Sequence, residues 1–341
     1  MKRAMWLMLF LVICVSPFLA AREKIVVYTY DSFVSWGPAA ALKEAFSEEY
    51  DCDVEYVTAG GGKATLSRLI AEREAGTNNA DLFMAELNDV PRIANYDLFL
   101  PLTAEDVPNI ATVPVDLMAE GLNGFVPYEY GYITLTYDTQ AFSTQSPPAT
   151  LEDLADPVYA RQLICEDART SSTGFSFLLW TIAHFGEDKY LDFWRSIHDS
   201  LLTITQGWGE GWSLLTHGEA PLLVSFSTDT AYAAICGDPL RYRAYAPGEE
   251  GYRTVYGIGV VKGTRHEALA KEFIDLLLSA EMQKLIPTTE IMFPANGNAK
   301  LPPAFQEYAI VPHTVLSIPL AVVGENMGKW LHAWETVITQ P

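Results

Sequence analysis

The chain has 341 residues, 49% of them hydrophobic and 12% aromatic, which is enough apolar material for more than one core. Its 43 acidic residues against 22 basic ones give a formal charge of -21. That balance speaks against nucleic acid or an anionic membrane as partner, and suits a cationic small ligand or simply a solvated acidic surface.

Met1-Lys2-Arg3 followed by an apolar run to Ala21, broken at Ser16-Pro17, has the three parts of a secretory signal, with cleavage expected after Ala20 or Ala21. The bulky Ile13 beside Cys14 and the short run before it argue against a lipid anchor there. No later run is long enough to span a bilayer. The mature protein is therefore expected to be exported and soluble, with its bulk divided into two lobes. Cys52, Cys165 and Cys236 are too few and too widely spaced for a disulfide framework, although one pair is allowed. The six histidines form no pair at helical metal spacing, so neither a metal nor a cofactor is expected.

Residues 25–30 are β-branched and aromatic and read as a buried strand, followed by a loop at Asp31-Ser32 and a helix opened by Gly37-Pro38. A strand at 54–58, a turn at Gly60-Gly61-Gly62, a helix over 65–74 ended by Gly76, a strand at 80–85 and a short helix carrying Ile93, Ala94 and Phe99 follow. This alternation predicts an α/β fold, each lobe a mainly parallel sheet flanked by helices. Residues 125–137, FVPYEYGYITLTY, predict a long strand that carries the chain from one lobe to the other. A surface turn at Pro147-Pro148, a helix from about Thr150 and a strand at 163–165 come next. Thr170 to Gly174 then leads into an apolar helix over 175–184. A helix over 190–198, strands at 202–205 and 222–226, and a helix from Ser227-Thr228-Asp229 complete the second lobe. Residues 254–261 predict the returning strand, 267–278 an amphipathic helix, 292–294 an extended segment, and Trp330 and Trp334 a final helix. Lobe 1 is thus expected to comprise 22–130 with 255–295, and lobe 2 131–254 with 296–341.

Enzyme signatures are absent: there is no G-x-S-x-G elbow, no H-E-x-x-H, and no Walker pattern around Lys63. Gly61-Gly62 and Ser171-Ser172 each stand before a helix, where backbone N–H groups and hydroxyls suit an anion, though a plain turn or a helix cap explains them equally well. Tyr30, Trp36, Trp208 and Tyr232 lie just past strand ends or in first helical turns, and Asp31 adds a carboxylate beside Tyr30. Four rings so placed in two lobes suggest a cleft that stacks on a flat or cationic ligand.

The residues VYTYDSF (27–33) with Trp36-Gly37-Pro38, Pro127 to Tyr132, Glu166-Asp167 to Ser171, Leu178-Leu179-Trp180, Thr203 to Trp208, and Ile286-Pro287-Thr288 run in one order through nearly the whole mature chain. In them the sequence resembles the periplasmic thiamine-binding proteins of bacterial ABC transporters, within the type II solute-binding fold. The resemblance implies two lobes joined by crossing strands and a monomer that holds thiamine or a thiamine phosphate between them. It also implies delivery of that ligand to a membrane permease, and Tyr30, Trp36, Gly62, Ser172, Trp208 and Tyr232 at the ligand. Three positions depart from the pattern: Gly61 replaces an acid, Phe226 a tyrosine and Ile291 a tryptophan. Each lost group weakens a thiamine-like contact by about 1 kcal/mol or more and favours a different or phosphorylated ligand. An iron-binding relative would draw phenolates from Tyr128, Tyr130 and Tyr132, and a secreted thiamine-degrading enzyme would need Cys165 as its nucleophile.

Overall fold

The computed structural model describes residues 22–59, 62–93, 96–118, 124–237 and 240–339. The expected signal segment and Gly61 lie outside them, as does Ala94. The described strands are β1 (Glu23–Tyr28), β2 (Cys52–Val57), β3 (Leu82–Glu86), β4 (Phe125–Asp138), β5 (Leu163–Glu166), β6 (Leu201–Thr205), β7 (Leu222–Phe226), β8 (Tyr242–Tyr245), β9 (Glu250–Val260), β10 (Phe293–Pro294) and β11 (Thr314–Leu316). They join in the order β2-β1-β3-β9-β4-β7-β5-β6, with β8 and β10 on β4 and β11 on β9.

Pairing is parallel at both ends of this order, among β2, β1 and β3 and among β7, β5 and β6, as strand–helix–strand connections require. In the middle β4 and β9 run antiparallel along one another from Phe125 to Ile133. The first half of β4 takes β10 as a second neighbour, and its later half takes β7 and β8. The far end of β9 pairs with β3, while its start pairs with β11. Two long strands thus pass from one lobe to the other.

Each lobe has its own core. One gathers Val27, Leu42, Phe46, Phe83, Phe125 and Phe273; the other gathers Leu135, Phe177, Trp180, Trp194, Trp330 and Trp334. The Ser172–Phe185 helix is buried on most of its length, consistent with its unbroken apolar sequence. The closing Leu320–Thr339 helix sets Trp334 edge-on to Trp194 at 5.6 Å, while its Gly324 lies against Pro91 of the other lobe.

Local differences from the sequence expectation have simple causes. Residues 31–35 form a short helix rather than a loop, with Tyr30 extended before it and the Trp36 N–H bonded to the Ser32 carbonyl at 2.8 Å. Near Thr150 only a 3₁₀ turn forms, Glu152–Ala155, closed by mutual bonds between Thr150 and Asp153. Phe99 bridges to Val261 instead of sitting in a helix. The edge strands β8 and β11 are short segments whose state is set by tertiary pairing. Cys52, Cys165 and Cys236 are all free thiols.

Candidate functional site

A cavity of about 340 Å³ lies between the lobes. It opens where β1, β3, β5 and β6 reach their carboxyl ends, the edge at which open α/β sheets receive ligands. From the first lobe come Tyr30, Asp31 and Ser32 after β1, Gly62 and Lys63 at a helix start, Glu86 at the end of β3, and Tyr256 on β9. From the second come Thr170, Ser171 and Ser172 after β5, and Gln206, Gly207 and Trp208 after β6.

The first wall is a buried hydroxyl and carboxyl network. The Tyr30 hydroxyl donates to Glu129 Oε1 at 3.0 Å and shares a short hydrogen bond with the Tyr128 hydroxyl. Tyr128 and Glu129 are successive residues, which a regular strand would send to opposite faces. The register shift of β4 between Pro127 and Glu129 brings both to Tyr30. Tyr256 tilts against Tyr30 at 5.3 Å, and Phe33 meets it edge-on at 6.0 Å. Burial, then the nearby Glu290, keeps the Glu129 carboxyl well above the ordinary range, and Glu290 itself is pushed by burial up to about 7. Gly37 is required here, because a methyl group would stand 2.0 Å from Glu290 Oε1 and 2.5 Å from the Phe33 carbonyl.

The second wall offers donors. Ser171 caps the Ser172–Phe185 helix by accepting from the Gly174 N–H at 3.2 Å. Gly207 precedes the Trp208–His217 helix, and Glu210 returns to the Gln206 N–H at 2.9 Å. With the Gly62–Glu74 helix, three helix N-termini of ten residues or more face one cavity, a field that favours negative charge. Trp208 donates its indole N–H to Ser225 Oγ at 2.7 Å and stacks on Trp212 at 5.4 Å, so its ring is fixed before any ligand arrives. Lys63 joins the walls: its ammonium donates to the Ala168 carbonyl at 3.1 Å and stands 3.5 Å from Asp89 Oδ1, while Ser172 donates to Asp89 Oδ2 at 3.0 Å.

Of the residues singled out from sequence, the fold brings Tyr30, Asp31, Gly62, Ser171, Ser172 and Trp208 to the cavity. Trp36 is 73% exposed at the end of its short helix and does not line it. Tyr232 meets Trp212 edge-on at 6.0 Å, behind Trp208. Phe226 packs against both main cores, and Ile291, held at φ 56°, packs in a third cluster with Phe293 and Phe305. Sequence reasoning did not single out Lys63, Glu86, Gln206 or Tyr256 as wall residues. Of these, an acid closing the apolar strand Leu82–Glu86 was the one available signal.

The rival chemistries find little support in the geometry. Tyr128 is fully buried, and Tyr130 and Tyr132 pack on Phe293 at 5.3 and 5.8 Å, so aromatic packing accounts for them. Among the described residues no group of three or more His, Cys, Asp or Glu is placed to hold a metal. Cys165 is fully buried, and burial together with Glu166 pushes its thiol well above the usual value, which disarms it as a nucleophile.

Residues 41–313 match the bacterial extracellular solute-binding protein family, and the chain belongs to that family. It is similar to a thiamine-binding periplasmic protein of Brucella abortus, 33% identical over 96% of this chain and 95% of the relative. It is also similar to a thiamine-binding periplasmic protein of Escherichia coli, 29% identical over 97% and 98%. A solved periplasmic thiamin binding protein superposes with a TM-score of 0.81 at 29% identity, covering 93% of this chain and 96% of that one. These likenesses span both lobes and the cavity.

Proposed function

We propose that this protein is the exported solute-binding component of an ABC import system and captures thiamine or a thiamine phosphate between its lobes. The observation that carries the reading is that one cavity gathers the rings of Tyr30, Tyr256 and Trp208 and the carboxyls of Asp31 and Glu86 together with three helix N-termini and the hydroxyls of Ser171 and Ser172. A thiamine phosphate has matching ends, a flat cationic heterocycle and an anion. Tyr30, Asp31 and Trp208 would hold the rings, and Gly61, Gly62, Ser171 and Ser172 the hydroxyl or phosphate. Trp36 and Tyr232 would join on lobe closure, the motion that presents a surface to the permease. Lobe 1 would comprise 22–130 with 255–295 and lobe 2 131–254 with 296–341. The protein would act as a monomer in the periplasm after losing residues 1–21. No helix of the described residues is long and apolar enough to cross a membrane.

The departures at Gly61, Phe226 and Ile291, where the resembled family carries an acid, a tyrosine and a tryptophan, favour a second reading, another phosphorylated heterocycle in the same cleft. Calorimetric titration of the mature protein with thiamine, its monophosphate and its diphosphate separates the two. Binding is expected for all three, with the phosphates at least as tight as thiamine. Folded, ligand-free protein that binds none of them would remove thiamine and leave the second reading.

A further inference from the structure

Glu86 is only 2% exposed, although it forms part of the cavity wall. Its Oε1 accepts three hydrogen bonds, from Asn88 Nδ2 at 2.7 Å, Ser176 Oγ at 2.9 Å and Thr254 Oγ1 at 2.6 Å. Its Oε2 has no hydrogen-bond partner among the described residues. Three donors on one oxygen are a surrounding built for the ionised form, and an empty second oxygen leaves that form incomplete. Among the described residues no cation completes it. Of the lining residues only Asp31, Lys63 and Glu86 are charged, and Lys63 is engaged by Asp89 and the Ala168 carbonyl.

The ionisable groups around Glu86 are also accounted for. Asp89 repels it, and the Tyr256 phenol is held well above its normal range, so that it remains a neutral neighbour. Burial first, and Asp89 second, lift the Glu86 carboxyl to about 7. The empty protein thus holds this group near its balance point, where a cation can tip it.

Resting on the function proposed above, we propose that Glu86 is the residue that reads the ligand's positive charge, its unpartnered oxygen serving the cationic ring or an N–H beside it. It would do so from the end of β3, in a chain where position 61 carries no acid. Binding of a cation would then release the Glu86 proton, so affinity rises between pH 6 and 8, whereas a neutral ligand of the same shape releases none.

The test compares thiamine with its uncharged isostere, in which a thiophene replaces the thiazolium ring, in the mature protein and in Glu86→Gln. The wild type is expected to prefer thiamine by roughly tenfold to hundredfold, and the variant to reduce that preference to about twofold. Calorimetry in buffers of different ionisation enthalpy is expected to show proton release with thiamine in the wild type only. If Glu86 merely ties the lobes together through Ser176 and Thr254, both ligands weaken equally in the variant and the inference fails. Should the variant not fold, wild-type protein that releases as few protons to thiamine as to the isostere overturns it. Thiamine binding with unchanged selectivity sinks this inference alone, whereas no binding of any thiamine compound by the wild type sinks the proposed function with it.

Discussion

The two walls of the cavity both bury carboxyl oxygens without partners among the described residues, yet they differ in what surrounds them. On the first-lobe side Tyr30 bonds to Tyr128 and to Glu129 Oε1, while Glu129 Oε2 has no partner among the described residues, so the wall is rich in acceptors. On the second-lobe side Glu166, at the end of β5, has no hydrogen-bond partner on either oxygen among the described residues, and backbone N–H groups at two helix starts join hydroxyls as donors. The first wall is mostly side chains, with one helix start at Gly62, and the second is mostly helix starts held by close packing, with one ring at Trp208. A site so divided distinguishes the two ends of its ligand by charge before it distinguishes them by shape.

The packing of the second wall is where the contrast breaks most easily. A methyl group at Gly174 would stand 2.4 Å from the Glu166 carbonyl oxygen, so Gly174→Ala forces the helix start away from β5. A loss of about 3 kcal/mol in stability is expected in denaturant titration, with ligand binding impaired. A variant as stable as wild type would mean that this wall is looser than described. Next in size, Trp208→Ala removes the ring that Ser225 and Trp212 fix in place. It should weaken ligand affinity by about 2 kcal/mol, roughly thirtyfold, with little change in melting temperature. An unchanged affinity would transfer ring recognition wholly to the first wall.

The smallest effect is a slope. Burial raises the Glu166 carboxyl well above the usual range, so the folded protein keeps a proton that the unfolded chain releases above about pH 4.5. Stability therefore falls as pH rises from there towards the folded value, by about 1.4 kcal/mol per pH unit for each such group. Glu166→Gln should remove one share of that slope, about 1.4 kcal/mol between pH 5 and 6. A melting-temperature profile parallel to wild type would mean that the carboxyl is ionised in the fold.

Much of this was legible in the residues. The strand Leu222–Phe226 and the helix Glu267–Leu278 have the bounds read from the sequence, because apolar periodicity stops there at polar or small residues. Tyr30, Asp31, Ser171, Ser172 and Trp208 could be found because they follow strand ends, where the fold class puts ligands. Tyr256 could not, since it lies within a segment that reads as core and becomes wall only through the pairing of β3 with β9, and Glu86 is marked only as an acid closing an apolar strand. The bulge that turns both Tyr128 and Glu129 towards Tyr30 has no local signature beyond Pro127.

The passage of β4 and β9 through both lobes has a consequence for how the chain acquires its structure. Leu82 of β3 finds its partner, Val260 of β9, only after the whole intervening lobe has been synthesised. The first lobe cannot close its sheet from a contiguous stretch, and such distant pairings make folding slow. Under the export reading, that delay is useful: a polypeptide that must thread a translocation channel as an extended strand gains from a topology that cannot be completed until nearly all of it has emerged on the far side.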